Sequence, residues 1–226
     1  MHEAARVVAT EAGWRLETLL RTRRFFSTKE VVHLYKAQVL SFIESRTPGL
    51  YHAAPSVLER VDRVQRRLLR ELSLTELEAL RDYNLAPLSS RRDIGMLGAL
   101  HKLPLGTAPP QLGLLLPVLG RVLETGRRQS LRGWRPLHNK QVQTPCCFRS
   151  TDLMKRSCFG LALCYNKLPQ DTVNAGNVQL FQRKLQRGLL HYAEQRDGLG
   201  LGWERLYNVD WRSLTRLALD ALLLPT

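Results

Sequence analysis

The stretch ERVDRVQRRLLREL, residues 59–72, carries two periodic patterns that together decide the fold of the surrounding chain. Apolar residues recur at steps of three and four, and at about 100° per residue they fall within one sector of about 80°. Most of the arginines fall within a second sector of about 80°. We therefore predict an amphipathic helix with an apolar stripe, Val57, Val61, Val64, Leu68 and Leu72, and an arginine ridge, Arg60, Arg63, Arg67 and Arg70.

The arginine ridge has two interpretations. Exposed helix faces are usually charged, and the stems of arginine side chains also cover apolar surface. Alternatively, the planar guanidinium group forms bidentate bonds with phosphate, which favours contact with nucleic acid. Glu59 is the main acidic residue beside the ridge, so charge pairing within the helix is incomplete.

The charge of the whole chain favours the second interpretation. The net charge is +14 and the pI is about 10.3. Such an excess predicts a polyanionic partner, nucleic acid first and an anionic membrane surface second. Three further basic clusters contribute to it: RTRR at 21–24, the pair Arg91 and Arg92, and the region 127–156.

Composition and periodicity predict a mainly α protein. The 226 residues are 44% hydrophobic and 24% charged, which is typical of a globular chain long enough to bury a core. We predict a helical bundle over 1–125. Over 126–226 we predict a smaller, looser α or α/β region, with a basic loop or strand segment, at most a short strand pair, and C-terminal helices.

Capping and breaking signals place the ends of the helices in the first half. The stretches STKE (27–30) and TELE (75–78) are capping-box patterns, in which a hydroxyl and a carboxylate satisfy free backbone amides. TPG at 47–49 is predicted to end the first of these helices, and NLAP at 84–87 the second.

The signals become sparser further along the chain. Ser89 or Ser90 is predicted to cap another helix, which the turn-rich stretch 104–110 ends. The polar region 126–158 has no helical period, although 141–149 is compatible with a short strand. The last helices are predicted at about 177–196 and 211–223.

The sequence carries no recognisable motif for catalysis or metal binding. Its four cysteines, at 146, 147, 158 and 164, lack the paired spacing of zinc sites, which predicts buried or idle thiols in a reducing compartment. The histidines fall in no zinc-protease or nucleophile motif, and GLGLG at 198–202 lacks the strand and helix of a dinucleotide loop. We therefore predict no catalytic residue, metal or cofactor.

The apolar segments are too short to predict a membrane span. The run LGLLLPVLG at 112–120 is under half of the about 20 residues that a spanning helix needs. The N-terminal residues carry Glu3 and Glu11 and lack the pattern of a secretory signal. An intracellular location is expected.

Four segments, taken in order, resemble one protein family. They are 19–53 with its LRTRRF helix, 58–72 with its LERVDRVQRRLLR helix, 85–110 with LAPLSSRR and a proline-bearing turn, and 164–186 with CYNKLP. Together they are similar to the thumb and downstream region of non-LTR (LINE-like) retrotransposon reverse transcriptases. The resemblance covers about residues 14–190, and Tyr165 stands where tryptophan is common in the family.

The resemblance implies a thumb-like helical bundle that contacts the phosphates of RNA, DNA or a hybrid without reading bases. A palm-bearing polymerase chain is the protein partner that it implies, and the nucleus is the location. The residues implied to contact phosphate are Arg21, Arg23, Arg24, Arg60, Arg63, Arg67, Arg70, Arg91 and Arg92.

The chain also departs from the family in a way that bears on activity. Nucleotidyl transfer needs paired aspartates that hold two metal ions, and this sequence has no Asp-Asp pair and no fingers or palm. We therefore expect a non-catalytic, retroelement-derived fragment of an RNA-directed DNA polymerase. The alternatives are a helical protein-interaction module and a degenerate relic with no independent activity.

Overall fold

The computed structural model describes residues 2–119, 138–143 and 157–195, and helices dominate them. Within these ranges the β pairing is an isolated antiparallel bridge between Val118 and Val142, so the predicted mainly α class is confirmed. The helices are α1 His2–Thr22, α2 Thr28–Tyr35, α3 Ser41–Ser45, α4 Thr47–Leu50, α5 Pro55–Glu71, α6 Glu76–Tyr83, α7 Leu88–Leu105, α8 Pro110–Leu115, α9 Cys158–Tyr165, α10 Gln170–Val173 and α11 Val178–Gln195.

The described chain forms two compact units. Unit 1 contains residues 2–92 and 193–195, and unit 2 contains residues 93–119, 138–143 and 157–192. The contacts thus divide the chain after Arg92, whereas the boundary predicted after residue 125 lies outside the described residues. The predicted helix at 211–223 also lies outside them.

The core of unit 1 forms where α1 packs along α5. On α5 the predicted apolar stripe is confirmed, since Val61, Val64 and Leu68 are buried and the two stripe residues at its ends are half-buried. Each such side chain contributes about 1.5–3 kcal/mol when it leaves water. The matching face of α1 consists of Ala5, Val8, Ala12, Leu16 and Leu19.

Both predicted capping boxes are confirmed. The Ser27 hydroxyl accepts a hydrogen bond from the amide of Glu30, and the Glu30 carboxylate accepts one from the amide of Ser27 at 2.7 Å. Thr75 and Glu78 repeat the arrangement at the start of α6. These caps fix where two helices of unit 1 begin.

Replacing Ser27 by alanine is expected to lower the free energy of unfolding of unit 1 by about 1 kcal/mol, because the amide of Glu30 loses its acceptor at the helix start. Urea denaturation followed by circular dichroism measures the change. The exposed Thr10→Ala substitution within α1 is the control, and a cost for Ser27→Ala no larger than the control's would contradict the capping role.

Two predicted helix boundaries, one end and one start, differ from the structure. TPG at 47–49 was predicted to be a stop, but α3 already ends at Ser45 and these residues form α4, with Pro48 in its first turn, where proline is tolerated. The capping prediction for Ser89 or Ser90 is wrong, because α7 begins at Leu88 and both serines lie inside its first turn. Ser90 is buried there.

A π-helical segment, Lys36–Leu40, joins α2 to α3. Arg15 donates a hydrogen bond at 3.3 Å to the backbone oxygen of Gln38, which lies in this segment. The capping box at 27–30 and the predicted stop at 47–49 implied one continuous helix here and gave no sign of this local widening.

Unit 2 builds its core from α7, α9 and α11. The helix predicted at about 177–196 is confirmed as α11, on which Phe181, Leu185 and Leu189 are buried. Of the stretch 141–149, Val142 forms the bridge to Val118, and residues 144–149 lie outside the described residues.

Candidate nucleic-acid interface

The arginine ridge lies on the solvent side of α5. All four of its residues are exposed, and the side chain of Arg63 is 70% exposed. Glu59 forms its closer ion pair with Arg66, which lies beside the ridge, and reaches Arg63 only at 3.8 Å. The ridge is therefore only partly neutralised by its own helix.

Two ion pairs bring the basic end of α1 alongside the ridge. Arg67 contacts Glu17 at 2.6 Å, and Arg23 contacts Glu71 at 3.1 Å. The residue numbers of the two paired segments increase together, from 17 to 23 and from 67 to 71, so α1 and α5 run in the same direction. The cluster at 21–24 therefore lies next to the C-terminal part of the ridge. Two basic clusters that are far apart in sequence thus form one surface of unit 1.

Four arginines on this surface have no carboxylate partner among the described residues. They are Arg21, Arg24, Arg60 and Arg70, and all four are exposed. Arg24 lies over the ring of Phe25, with 4.8 Å between the guanidinium carbon and the ring centroid. Unpaired, exposed guanidinium groups are the ones that an external phosphate can reach without displacing an internal partner.

The remaining two predicted phosphate ligands have internal roles. Arg92 is buried and forms two hydrogen bonds with the carboxylate of Asp62, at 2.5 and 3.0 Å. Arg91 is half-buried and pairs with Glu44. Both pairs tie the start of α7 into unit 1, so the structure does not present these two arginines to a ligand.

A groove borders α1 on the side away from α5. It has a volume of about 610 Å³, and it lies between α1 and the chain from Ala37 to Ser45. Arg15 and Arg46 lie over the ring of Phe42, at 4.1 and 5.2 Å from its centroid. Its lining residues are Arg15, Thr18, Ala37, Gln38, Ser41, Phe42 and Ser45.

The charge on this surface is insensitive to pH near neutrality. Arginine stays protonated throughout the physiological range. The hydrogen bond from Arg66 lowers the pKa of Glu59, so this carboxylate also stays charged. We therefore expect any ligand that the surface holds by charge to bind equally well from about pH 6 to pH 9.

Unit 2 contains a buried polar cluster that sequence reasoning missed. His101 contacts the Tyr165 hydroxyl at 2.9 Å through Nδ1 and the Ala175 carbonyl oxygen at 3.0 Å through Nε2. The Nε2 of His138 lies 3.0 Å from the backbone oxygen of Tyr165. Burial lowers the pKa of both histidines. Because their rings are shielded from solvent, the cluster is a satisfied core network.

Cys164 is buried and Cys158 is half-buried, and burial raises the pKa of both thiols. In the described ranges, no group of three or more His, Cys, Asp or Glu side chains is placed to hold a metal ion. None of the described helices is long and apolar enough to cross a membrane.

Comparisons with protein-family models, with curated proteins and with solved structures found no match.

Proposed function

We propose that unit 1 binds the backbone of nucleic acid, without sequence preference, through the arginine ridge and the basic cluster at 21–24. The observation that carries the proposal is the joining of these two clusters into one exposed surface, on which four arginines lack a carboxylate partner among the described residues. Their common chemistry is charge and bidentate hydrogen bonding, which suit phosphate oxygens.

The dimensions of the ridge fit a polyanion. From Arg60 to Arg70 the helix rises about 15 Å, at about 1.5 Å per residue. A duplex presents one phosphate charge per about 1.7 Å of its axis when both strands are counted, so a duplex segment as long as the ridge carries about nine charges. Binding would displace condensed counterions, which makes the affinity strongly dependent on salt.

The resemblance to the thumb of non-LTR reverse transcriptases narrows the proposal. It points to a template–product duplex or RNA–DNA hybrid as the ligand, and to a palm-bearing polymerase chain as the protein that would perform any chemistry. In this proposal the chain itself contributes binding and no catalytic step, and it acts where such elements copy themselves, in the nucleus.

The test of this proposal reverses the charge of Arg60 and Arg70 together, because within the part of the chain that the structure describes neither arginine has an ion pair with a carboxylate that would be broken. The affinity of the Arg60→Glu/Arg70→Glu variant for a labelled RNA–DNA hybrid is expected to fall by about 10- to 100-fold at 100 mM salt, and about equally for all sequences. Fluorescence anisotropy measures the change.

The matched control reverses two exposed arginines of unit 2, Arg183 and Arg187, on α11. This variant changes the net charge by the same amount and is expected to keep most of the affinity. An equal loss in both variants would mean that net charge alone attracts nucleic acid, and unchanged binding by the ridge variant would contradict the proposal.

A further inference from the structure

Large aromatic side chains remain exposed on α1 and in the short 3-10 turn that follows it. Trp14 is 74% exposed and Phe25, in the 3-10 turn that follows α1, is 69% exposed. Large aromatic side chains usually bury most of their surface, and those left on a surface commonly mark a binding face. We call this pair, with Arg21 between them in sequence, the aromatic strip.

The strip lies between two polar features of unit 1. At about 100° per residue, Trp14 and Arg21 lie about 20° apart on the helix surface. Glu17, which pairs with Arg67 of the ridge, is about 60° to one side of Trp14, and Thr18, which lines the groove, is about 40° to the other. At Trp14 and Arg21 the aromatic strip is therefore flanked by the arginine ridge on one side and by the hydroxyl-lined groove on the other.

The mixture of side chains identifies a class of ligand. Surfaces that bind single-stranded nucleic acid combine arginines, which follow the phosphates, with exposed aromatic rings, on which bases stack. A continuous duplex hides the faces of its bases within the stack, so it cannot use such rings. From Trp14 to Phe25 the backbone rises about 18 Å, a length over which an extended strand presents separate bases.

We propose that the aromatic strip binds unpaired bases of a single strand, with Trp14 and Phe25 as stacking platforms. Arg21 and Arg24, which lack carboxylate partners within the described residues, would hold the adjoining phosphates. One face of Phe25 is already covered by Arg24, so a base stacks on its other face. This inference rests on the proposed function, and it specifies that the bound nucleic acid has an unpaired segment.

The test compares a labelled single strand of about 12 nucleotides with an abasic strand of the same length, each titrated against the full chain. The Trp14→Ala/Phe25→Ala variant is expected to bind the strand with bases about 5- to 100-fold more weakly, and the abasic strand about as well as the unaltered protein does. Trp14→Phe in place of Trp14→Ala in this double variant retains an aromatic face at position 14. It is expected to restore part of the affinity for the strand with bases. Leu180→Ala, at an exposed apolar side chain of unit 2, is the control and is expected to change neither affinity.

The outcomes separate this inference from the proposed function. Salt-dependent binding that Trp14→Ala/Phe25→Ala leaves unchanged would overturn stacking while the backbone proposal stands. Equal losses for the strands with and without bases would also overturn stacking. If the variant loses self-association in sedimentation instead of affinity for the strand, the strip is a protein contact and the inference fails. A complete absence of binding to any nucleic acid at low salt would overturn both proposals.

Discussion

Replacing Asp62 by alanine is expected to lower the free energy of unfolding of unit 1 by about 3–5 kcal/mol. The side chain of Arg92 is only 9% exposed, and both of its terminal nitrogens donate to the Asp62 carboxylate. Without that carboxylate the guanidinium group stays charged and buried without its ionic partner, since arginine does not deprotonate in proteins. Urea denaturation followed by circular dichroism measures the loss.

Two controls separate charge burial from other effects of the Asp62→Ala substitution. The double variant Asp62→Leu/Arg92→Met replaces both partners by apolar side chains and is expected to unfold within about 1 kcal/mol of the unaltered protein, or to be more stable. Glu17→Gln removes the exposed partner of Arg67 and is expected to cost under about 1 kcal/mol. A similarly small cost for Asp62→Ala would show that Arg92 finds water or another partner.

Replacing His101 by alanine is expected to destabilise unit 2 by about 3–5 kcal/mol. The substitution empties the space next to Phe181, on which the imidazole is stacked with centroids 4.1 Å apart. It also leaves the Tyr165 hydroxyl and the Ala175 carbonyl oxygen without the partners they have in the folded state. Denaturation at pH 8, where histidine is neutral in both states, measures this cost, and His33→Ala at an exposed position of unit 1 is the control.

The same histidine is expected to make unit 2 sensitive to acid. Its Nε2 must carry the hydrogen, because it faces a carbonyl oxygen, so the neutral ring accepts from the Tyr165 hydroxyl at Nδ1. Burial lowers its pKa in the folded state, so below about pH 6.5 the unfolded chain takes up the proton first. Stability is therefore full above this pH and is lost as the pH falls towards the folded pKa. The His101→Ala variant should lose less of its free energy of unfolding as the pH falls than the unaltered protein does. An equal loss in both proteins would show that another group causes the acid sensitivity.

The helical framework of unit 1 could be predicted from sequence because its signals are local. The apolar stripe from Val57 to Leu72 repeats every three or four residues, and each capping box lies within four residues. The exposed direction of the arginine ridge follows from the same period. Such features depend on neighbours along one helix, so a single sequence is sufficient to find them.

The partners of individual charged and polar residues could not be predicted in this way. Arg92 is adjacent to Arg91 in the sequence, but the carboxylate that pairs with it belongs to Asp62, 30 residues earlier. His101 is bound by Tyr165 and Ala175, 64 and 74 residues later. Nothing in the local pattern distinguishes these residues from solvent-facing ones, because their roles arise from packing between distant segments.

The exposure of Trp14 is a different case, because a local signal for it exists in the sequence. An isolated aromatic residue on a helix is more often part of a core, so the residue type alone does not predict an exposed position for Trp14. The helical period over α1 does place it opposite Ala12, Leu16 and Leu19, which are buried. That local signal could have identified Trp14 as exposed before the structure was known.

The dependence of affinity on salt tests the central claim most directly. Anisotropy of a labelled RNA–DNA hybrid, with duplex DNA and single strands beside it, would be measured from about 50 to 500 mM salt. We predict that the logarithm of the affinity falls linearly with the logarithm of the salt concentration, with a slope of about −4 to −6. In the Arg60→Glu/Arg70→Glu variant the slope is expected to be less negative by about 2. A cooperatively folded protein that binds none of these ligands at 50 mM salt, or binds them with the same slope in both forms, would contradict the claim that this surface contacts phosphate.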